Sequence, residues 1–146
     1  PGFKGRDGCR TPMPWSGDLR NGGFSAAKPW LPVPAVHMVR AADRQGGTGT
    51  VLAHYREMLA FRKRHKALAS GSIRFVGKDE DVLAFEREQS GERLLCLFNF
   101  GGEEKSWKRP ARIGGLKALD LPGHGARSDG KHVVLAPLEA AVLRIG

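Results

Sequence analysis

The sequence predicts an α+β chain in which a long loop region and one helix precede a small antiparallel β-domain. Residues 1–47 show no sustained hydrophobic period and are rich in Gly, Pro and other turn formers. Residues 50–70 carry apolar side chains at helical spacing, and from Gly71 short apolar runs alternate with turn segments. We therefore predict a boundary between residues 1–70 and residues 71–146.

The composition indicates a globular chain that does not bind a membrane. The chain has 146 residues, of which 40% are hydrophobic, and no apolar run is long enough to cross a bilayer. The excess of 24 Lys and Arg over 15 Asp and Glu permits nucleic-acid binding. However, these basic residues are spread along the chain, and the densest run, RKRHK, ends the predicted helix, where cations favour the helix dipole. We therefore expect no nucleic-acid partner.

The loop region predicts a partner that lies outside itself. A structureless segment of this length is uncommon in a compact domain unless it serves a site or covers a larger body. Its apolar side chains need a surface to bury against, and they are Phe24, Trp30, Leu31, Val33, Val36 and Val39.

The helix is predicted to begin after Thr50, a plausible N-cap, and to end before Gly71. One apolar face is formed by Val51, Leu52, Tyr55, Met58 and Leu59. Arg62 falls near the middle of that face. Two interpretations remain open: its stem packs while the guanidinium reaches water, or it pairs with a carboxylate of another element.

The second half predicts an antiparallel sandwich. The segments SIRFV, VLAFERE and RLLCLFNF are separated by hairpin connections. Leu83 and Phe85 alternate with their neighbours, which indicates a strand with one wet face, whereas residues 94–98 indicate a central strand covered on both faces. Further short strands are predicted near residues 104–107, 117–119, 131–135 and 140–145.

Most reactive side chains lack a catalytic or metal-binding pattern. The sequence has no G-x-S-x-G elbow, no H-E-x-x-H helix and no phosphate-binding glycine loop, and its five histidines lack ligand spacing. We therefore predict no metal, no cofactor and no catalytic residue in this chain. Asp79, Glu80 and Asp81 are consecutive and are typical of a solvated turn.

The two cysteines, Cys9 and Cys96, are far apart in the chain. A disulfide is possible, but free thiols in a reducing compartment are favoured. This predicts a cytoplasmic protein.

The segment GRDGCRTPMPW, residues 5–15, has the residue types of a sugar-binding loop. Asp7 can accept and Arg10 can donate hydrogen bonds to the paired hydroxyls of a sugar, and Trp15 offers a flat ring for stacking. The alternative is that Asp7 and Arg10 pair with each other and brace the loop.

This segment, followed by GGFS and KPWLPV, resembles the final part of the α-glucosidase and oligo-1,6-glucosidase branch of the α-amylase superfamily. The resemblance continues through the helix VLAHYREMLAFRKRHKAL, then GSIRF and LLCLFNF, to PLEAAVLRI at the end of the chain. It therefore covers the whole chain.

The resemblance implies a retaining exo-acting α-glucosidase that removes terminal α-linked glucose from short oligosaccharides. Residues 1–70 would be the last loop and the eighth helix of a (β/α)₈ barrel, and residues 71–146 the all-β antiparallel sandwich domain that follows it. Asp7 and Arg10 would hold hydroxyls of the substrate glucose. The two catalytic carboxylates that retention requires would lie upstream, in the missing amino-terminal barrel, so the chain alone would be inactive.

One alternative from another class remains. The chain would then be a free-standing, non-catalytic β-domain that binds carbohydrate or nucleic acid, and nucleic-acid binding would weaken steeply with salt.

Overall fold

The computed structural model describes residues 5–77 and 81–146. The chain divides into two compact units, Pro1–Arg56 and Glu57–Gly146, so the division falls inside the longest helix. Within these described ranges the α-helices are α1 (Ala35–Met38), α2 (Val51–Arg64) and α3 (Lys66–Ser70). No helix among the described residues is long and apolar enough to span a bilayer.

Helix α2 begins as the sequence predicts. Thr50 caps it, because its side-chain oxygen accepts a hydrogen bond from the Ala53 N–H at 3.2 Å. The predicted single helix is interrupted at His65, and α3 then runs to the residue before Gly71. The Arg62 guanidinium donates to the Ala69 carbonyl oxygen at 3.0 Å and makes no ion pair among the described residues, so the carboxylate interpretation is not seen.

The predicted apolar face of α2 is only partly covered. Phe61 is 2% exposed, and Met58 packs against the same cluster of buried side chains. In contrast, Val51, Tyr55 and Leu59 are 69%, 64% and 52% exposed. These three residues are spaced four apart and therefore share one side of the helix.

In the part of the chain that the structure describes, eight strands follow, all paired antiparallel. They are β1 (Ser72–Phe75), β2 (Val82–Gln89), β3 (Glu92–Asn99), β4 (Lys105–Lys108), β5 (Leu116–Ala118), β6 (Arg127–Ser128), β7 (His132–Leu135) and β8 (Ala140–Ile145). One sheet has the order β1-β2-β3-β8-β5 and the other has the order β4-β7-β6. The sequence predicted seven of these strands within two residues at each end and missed β6, which has two exposed residues and no apolar signal.

The two sheets pack face to face around one core, as the predicted sandwich requires. Its fully buried side chains include Leu95 and Leu97 of the first sheet and Val133 and Leu135 of the second. Helices α2 and α3 cover part of the other face of the five-stranded sheet, where Phe61 and Ala67 join a second cluster with residues of β3 and β8. Strand β3 is therefore covered on both faces along residues 94–97.

The wet face of β2 is the one that carries Leu83. Val82, Ala84 and Glu86 point into the sandwich and are at most 5% exposed, whereas Leu83 is 37% exposed. The alternation was predicted, but Leu83 and Phe85 do not occupy the more buried face. Ala84 has a small side chain and Glu86 a charged one, so the hydrophobic pattern of the sequence does not identify their face as the buried one.

Candidate functional site

The predicted sugar-binding pair lies on a short 3₁₀ turn, Asp7–Cys9. The turn is closed by a hydrogen bond from the Arg10 N–H to the Asp7 carbonyl oxygen at 3.0 Å. Asp7 is half-buried and Arg10 is exposed. Neither side chain makes an ion pair or hydrogen bond with the other in the part of the chain that the structure describes. The bracing alternative is therefore not seen, and the sugar-binding role of the pair stays a prediction.

The next part of the loop is fixed by a turn that only glycine fits. The backbone N–H groups of Trp15 and Ser16 both donate to the Gly22 carbonyl oxygen, at 2.7 and 2.9 Å. Gly22 is buried with φ of 64°, and a Cβ atom there would lie 2.8 Å from the Pro14 Cα atom. The neighbouring Asn21 donates to the carbonyl oxygens of residues 25 and 27, both at 2.9 Å. The GGFS segment therefore shapes the loop that carries Trp15.

A second set of contacts holds the same segment from residues 42–44. The Asp43 N–H donates to the Trp15 carbonyl oxygen at 3.0 Å, and the Asp43 carboxylate accepts from the Gly17 N–H at 3.1 Å. A hydrogen bond from the Ser16 side chain is the main cause that lowers the pKa of Asp43. Arg44 completes the contact through an ion pair with Asp18 at 2.7 Å. Residues 14–18 are thus held between two other parts of the loop region.

An open cleft of about 600 Å³ lies within the first unit. Trp30 lines it and is 83% exposed, and Lys28 and Asn21 contribute polar groups to its wall. Its remaining lining is mainly apolar and consists of Pro29, Pro32, Val33, Ala35 and Met38. An exposed aromatic face beside a few polar groups suits a sugar ring. Asp7 and Arg10 do not line this cleft.

The aromatic side chains of the loop region remain accessible. Trp15 is 55% exposed, and Phe24 and Trp30 are 50% and 83% exposed, so the described residues of the first unit do not supply the apolar surface that the sequence predicts for Phe24 and Trp30. The resemblance to the α-glucosidase branch implies a preceding barrel, and that barrel is the expected surface for Phe24 and Trp30. This assignment stays a prediction.

The remaining reactive groups form no further catalytic or metal constellation in the described ranges. No group of three or more His, Cys, Asp or Glu residues could hold a metal ion within residues 5–77 and 81–146. Cys9 and Cys96 are both free thiols, and burial raises the pKa of Cys96 to about 12. Asp81 pairs with Lys105 at 2.6 Å and its side chain is 42% exposed, which agrees with the predicted solvated turn at this residue, whereas Asp79 and Glu80 lie outside the described residues.

Sequence reasoning missed the residues that hold the loop. Asp43 bonds to the backbone of Gly17, 26 residues away, and Asn21 bonds to carbonyl oxygens four and six residues further along the chain. No sequence motif predicts either set of contacts. Gly22 had a signal, because two adjacent glycines after an asparagine predict positive φ angles. Lys28 stands beside Trp30 in KPWLPV, but only the folded loop places both on one cleft.

Comparison with known proteins finds one matching family profile and several similar proteins. The profile of the family described as "Alpha amylase, catalytic domain" matches residues 2–71. A "Probable alpha-glucosidase" of Rhizobium meliloti (strain 1021) is 47% identical over 131 residues, which are 88% of this chain and 23% of the relative. An oligo-1,6-glucosidase of Halalkalibacterium halodurans is 32% identical over 112 residues, 75% of this chain and 20% of that protein.

One solved structure superposes on this chain along the full length of the chain. The α-glucosyl transfer enzyme XgtA superposes with a TM-score of 0.85 at 40% identity and covers 100% of this chain, which corresponds to 27% of XgtA. The chain thus spans about a quarter of the length of the relatives it matches.

Proposed function

Because this chain belongs to the α-amylase superfamily, as its α-glucosidase and oligo-1,6-glucosidase relatives show, we propose that it is the carboxy-terminal part of a retaining, exo-acting α-glucosidase. The full-length protein would hydrolyse terminal α-linked glucose from short oligosaccharides in the cytoplasm. The single observation that carries this proposal is the loop at residues 5–18. Residues 14–18 of this loop are held by contacts from residues 22, 42 and 43, while the Asp7 and Arg10 side chains make no hydrogen bond or ion pair with each other among the described residues.

The chemistry divides between this chain and the part upstream of it. Retaining hydrolysis needs one carboxylate as nucleophile and a second as acid and base. The first unit offers no such pair in its described residues, because Asp43 is engaged by Gly17 and Asp18 by Arg44. We therefore assign both catalytic carboxylates to the upstream barrel and assign binding, not catalysis, to Asp7 and Arg10.

In this proposal the Asp7 carboxylate accepts, and the Arg10 guanidinium donates, hydrogen bonds to hydroxyls of the terminal glucose. Asp7 and Arg10 are three residues apart in the sequence. At that spacing, two residues of a 3₁₀ turn lie on the same side of the turn. Residues 1–70 would close the barrel, and residues 71–146 would form the β-domain behind it.

The first test uses the full-length protein and its kcat/KM for an aryl α-glucoside and for maltose. Asp7→Asn and Arg10→Ala each remove a charge-assisted hydrogen bond and should lower kcat/KM by about 10- to 100-fold. Arg6→Ala is the matched control, since Arg6 is an exposed neighbour in the same loop and its variant should change kcat/KM less than about twofold.

Three results would contradict parts of this proposal. A full-length protein that hydrolyses no α-glucoside refutes the activity. Asp7 and Arg10 variants that match the Arg6 control refute the binding pair. Turnover of an aryl α-glucoside by the pure 146-residue chain refutes the upstream location of the carboxylates.

A further inference from the structure

The backbone of Trp15 is fixed on both sides while its ring is left open. Its N–H donates to the Gly22 carbonyl oxygen at 2.7 Å, and its carbonyl oxygen accepts from the Asp43 N–H at 3.0 Å. Pro14, which precedes it, contributes a backbone angle that its own ring fixes. The Trp15 side chain is nevertheless 55% exposed. The described part of the chain therefore holds the base of this side chain and leaves a large aromatic surface uncovered.

The Asp43 carboxylate is at the centre of the contacts that hold this segment. Both of its oxygens lie within hydrogen-bond distance of the Gly17 N–H, at 3.1 and 3.2 Å. The Ser16 side chain donates a further hydrogen bond to the same carboxylate. Because the acceptor is ionised, these bonds are stronger than comparable bonds between neutral groups. Together with its own N–H, which donates to the Trp15 carbonyl oxygen, Asp43 thus binds three consecutive residues.

The neighbours of Asp43 extend the same contact. The Ala42 N–H donates to the Pro14 carbonyl oxygen at 3.0 Å. Arg44 pairs with Asp18 at 2.7 Å, but the Asp18 side chain is 85% exposed, so water screens this pair and it contributes little. Among these side chains, the Asp43 carboxylate is therefore the one whose loss should release the segment.

The position of Trp15 in the chain suits a contact with the sugar that follows the terminal glucose. In the proposed function, Asp7 and Arg10 hold hydroxyls of the terminal glucose, and Trp15 lies five residues after Arg10 in the same loop. A flat indole ring can cover the C–H face of a second sugar ring. A ring whose backbone is already fixed loses less conformational freedom on binding than a mobile one. The segment therefore has the properties of a rigid stacking surface.

We infer that Trp15 stacks on the second sugar of the substrate and that Asp43 is the positioning residue that holds Trp15 in place for it. The inference rests on the proposed function, because it takes the terminal glucose as the unit that Asp7 and Arg10 bind. Asp43 itself touches no sugar and acts by fixing the backbone of residues 15–17. Its removal should therefore weaken binding of the second sugar and leave the binding of glucose alone unchanged.

The test measures dissociation constants of the full-length protein by isothermal titration calorimetry with two probes. One probe is glucose, and the other is a maltose analogue whose linking oxygen is replaced by sulfur, a linkage that resists hydrolysis. Trp15→Ala should weaken binding of the analogue about tenfold and of glucose less than about twofold, because only the contact with the second ring is lost. Asp43→Ala should show the same selectivity with a smaller loss of about three- to fivefold, since the Trp15 ring remains but is no longer held.

A double variant tests whether Asp43 acts through Trp15. If it does, the double variant should bind the analogue as weakly as Trp15→Ala alone, whereas independent effects would multiply to a loss of about 30- to 50-fold. Asp43→Asn keeps an oxygen that can accept from the Gly17 N–H, so it should bind the analogue within about twofold of the native protein. Arg40→Ala removes an exposed charge from the same segment and is the control, with both dissociation constants changed less than about twofold.

A milder substitution decides if Asp43→Ala does not fold. Asp43→Glu keeps the charge but moves the carboxylate away from the Gly17 N–H by one methylene group. It should therefore weaken binding of the analogue more than binding of glucose, and it should add nothing to Trp15→Ala.

Several outcomes would overturn the inference. Equal losses for glucose and the analogue in Trp15→Ala mean that the ring supports the whole site, and unchanged binding means that it meets no second sugar. Losses that multiply in the double variant remove Asp43 as the positioning residue. A full-length protein that binds neither probe refutes the inference together with the proposed function. Because the titration needs no turnover, a selective loss in a protein that hydrolyses no α-glucoside refutes the proposed activity alone, whereas an active protein without the selective loss refutes this inference alone.

Discussion

The buried carboxylate of Glu86 provides the sharpest test of what stabilises the β-domain. Glu86 lies on the inward face of β2 and is 5% exposed. Its Oε2 atom accepts from Arg74 at 2.7 Å and from Arg93 at 3.3 Å, and its Oε1 atom accepts from Arg112 at 2.9 Å. One carboxylate thus joins β1, β3 and the connection between β4 and β5.

Replacing Glu86 by Gln keeps the shape and removes the charge. Breaking a buried ion pair costs about 3–5 kcal/mol when the remaining charge is left unpaired in the interior. Here the three arginine side chains are 35–60% exposed, so water screens the pairs and receives the released guanidinium groups. We therefore expect Glu86→Gln to lower the free energy of unfolding by about 2 kcal/mol.

The assay is urea unfolding followed by tryptophan fluorescence. Trp107 is 6% exposed in the sandwich core, so its emission reports on the β-domain, whereas the other two tryptophans are exposed in the first unit. Glu88→Gln is the matched control on the same face of the same strand. Glu88 is 57% exposed and lies 3.8 Å from Arg93, so its loss should cost less than about 0.5 kcal/mol.

The pH dependence has a definite sign. Burial alone would raise the pKa of Glu86, but hydrogen bonds from Arg74 and Arg112 outweigh it and hold the pKa below its usual value. The stabilisation is therefore complete above the unfolded pKa, near 4.5, and is lost as the pH falls through the folded value. The difference between the native protein and Glu86→Gln should shrink below about pH 4. A Glu86→Gln variant as stable as Glu88→Gln at pH 7, or a difference that persists undiminished at pH 2, would refute the reasoning.

Three further predictions concern the core, the loop and the first turn of α3. Leu97→Ala, at a fully buried site between the sheets, should cost about 3 kcal/mol in urea unfolding, and a loss below 1 kcal/mol would contradict the sandwich core. Gly22→Ala should accelerate hydrogen exchange of the Trp15 N–H, because the added Cβ atom collides with Pro14 and displaces the carbonyl oxygen of residue 22, which accepts from that N–H. Unchanged exchange of the Trp15 N–H would contradict the turn. Burial opposes ionisation of Glu92, but the Ala67 N–H donates a hydrogen bond to the Glu92 carboxylate and lowers its pKa. The hydrogen-exchange protection of the Ala67 N–H should therefore decline below about pH 4 relative to the other α3 amides.

The sequence by itself predicted seven of the strands, the ends of the helical region and the family that this chain resembles. Strands β2, β3 and β8 are rich in hydrophobic side chains, and this density favours a strand over other local structures. Thr50 and Gly71 are local signals for the two ends of the helical region. These features depend on neighbours in the chain, and such short-range preferences can be read without the fold. The loop motif identified the family because several residues recur at fixed offsets.

The tertiary structure alone decided which face of β2 is buried, how the sheets are ordered and how the loop is held. Glu86 is a charged residue of a strand, yet Arg74, Arg93 and Arg112 stabilise its charge inside the domain. Asn21 and Asp43 bond to backbone groups whose positions exist only after the loop has closed. For Glu86 and Asp43 the deciding contacts join residues that are between 7 and 26 positions apart in the sequence, and no local pattern contains that information.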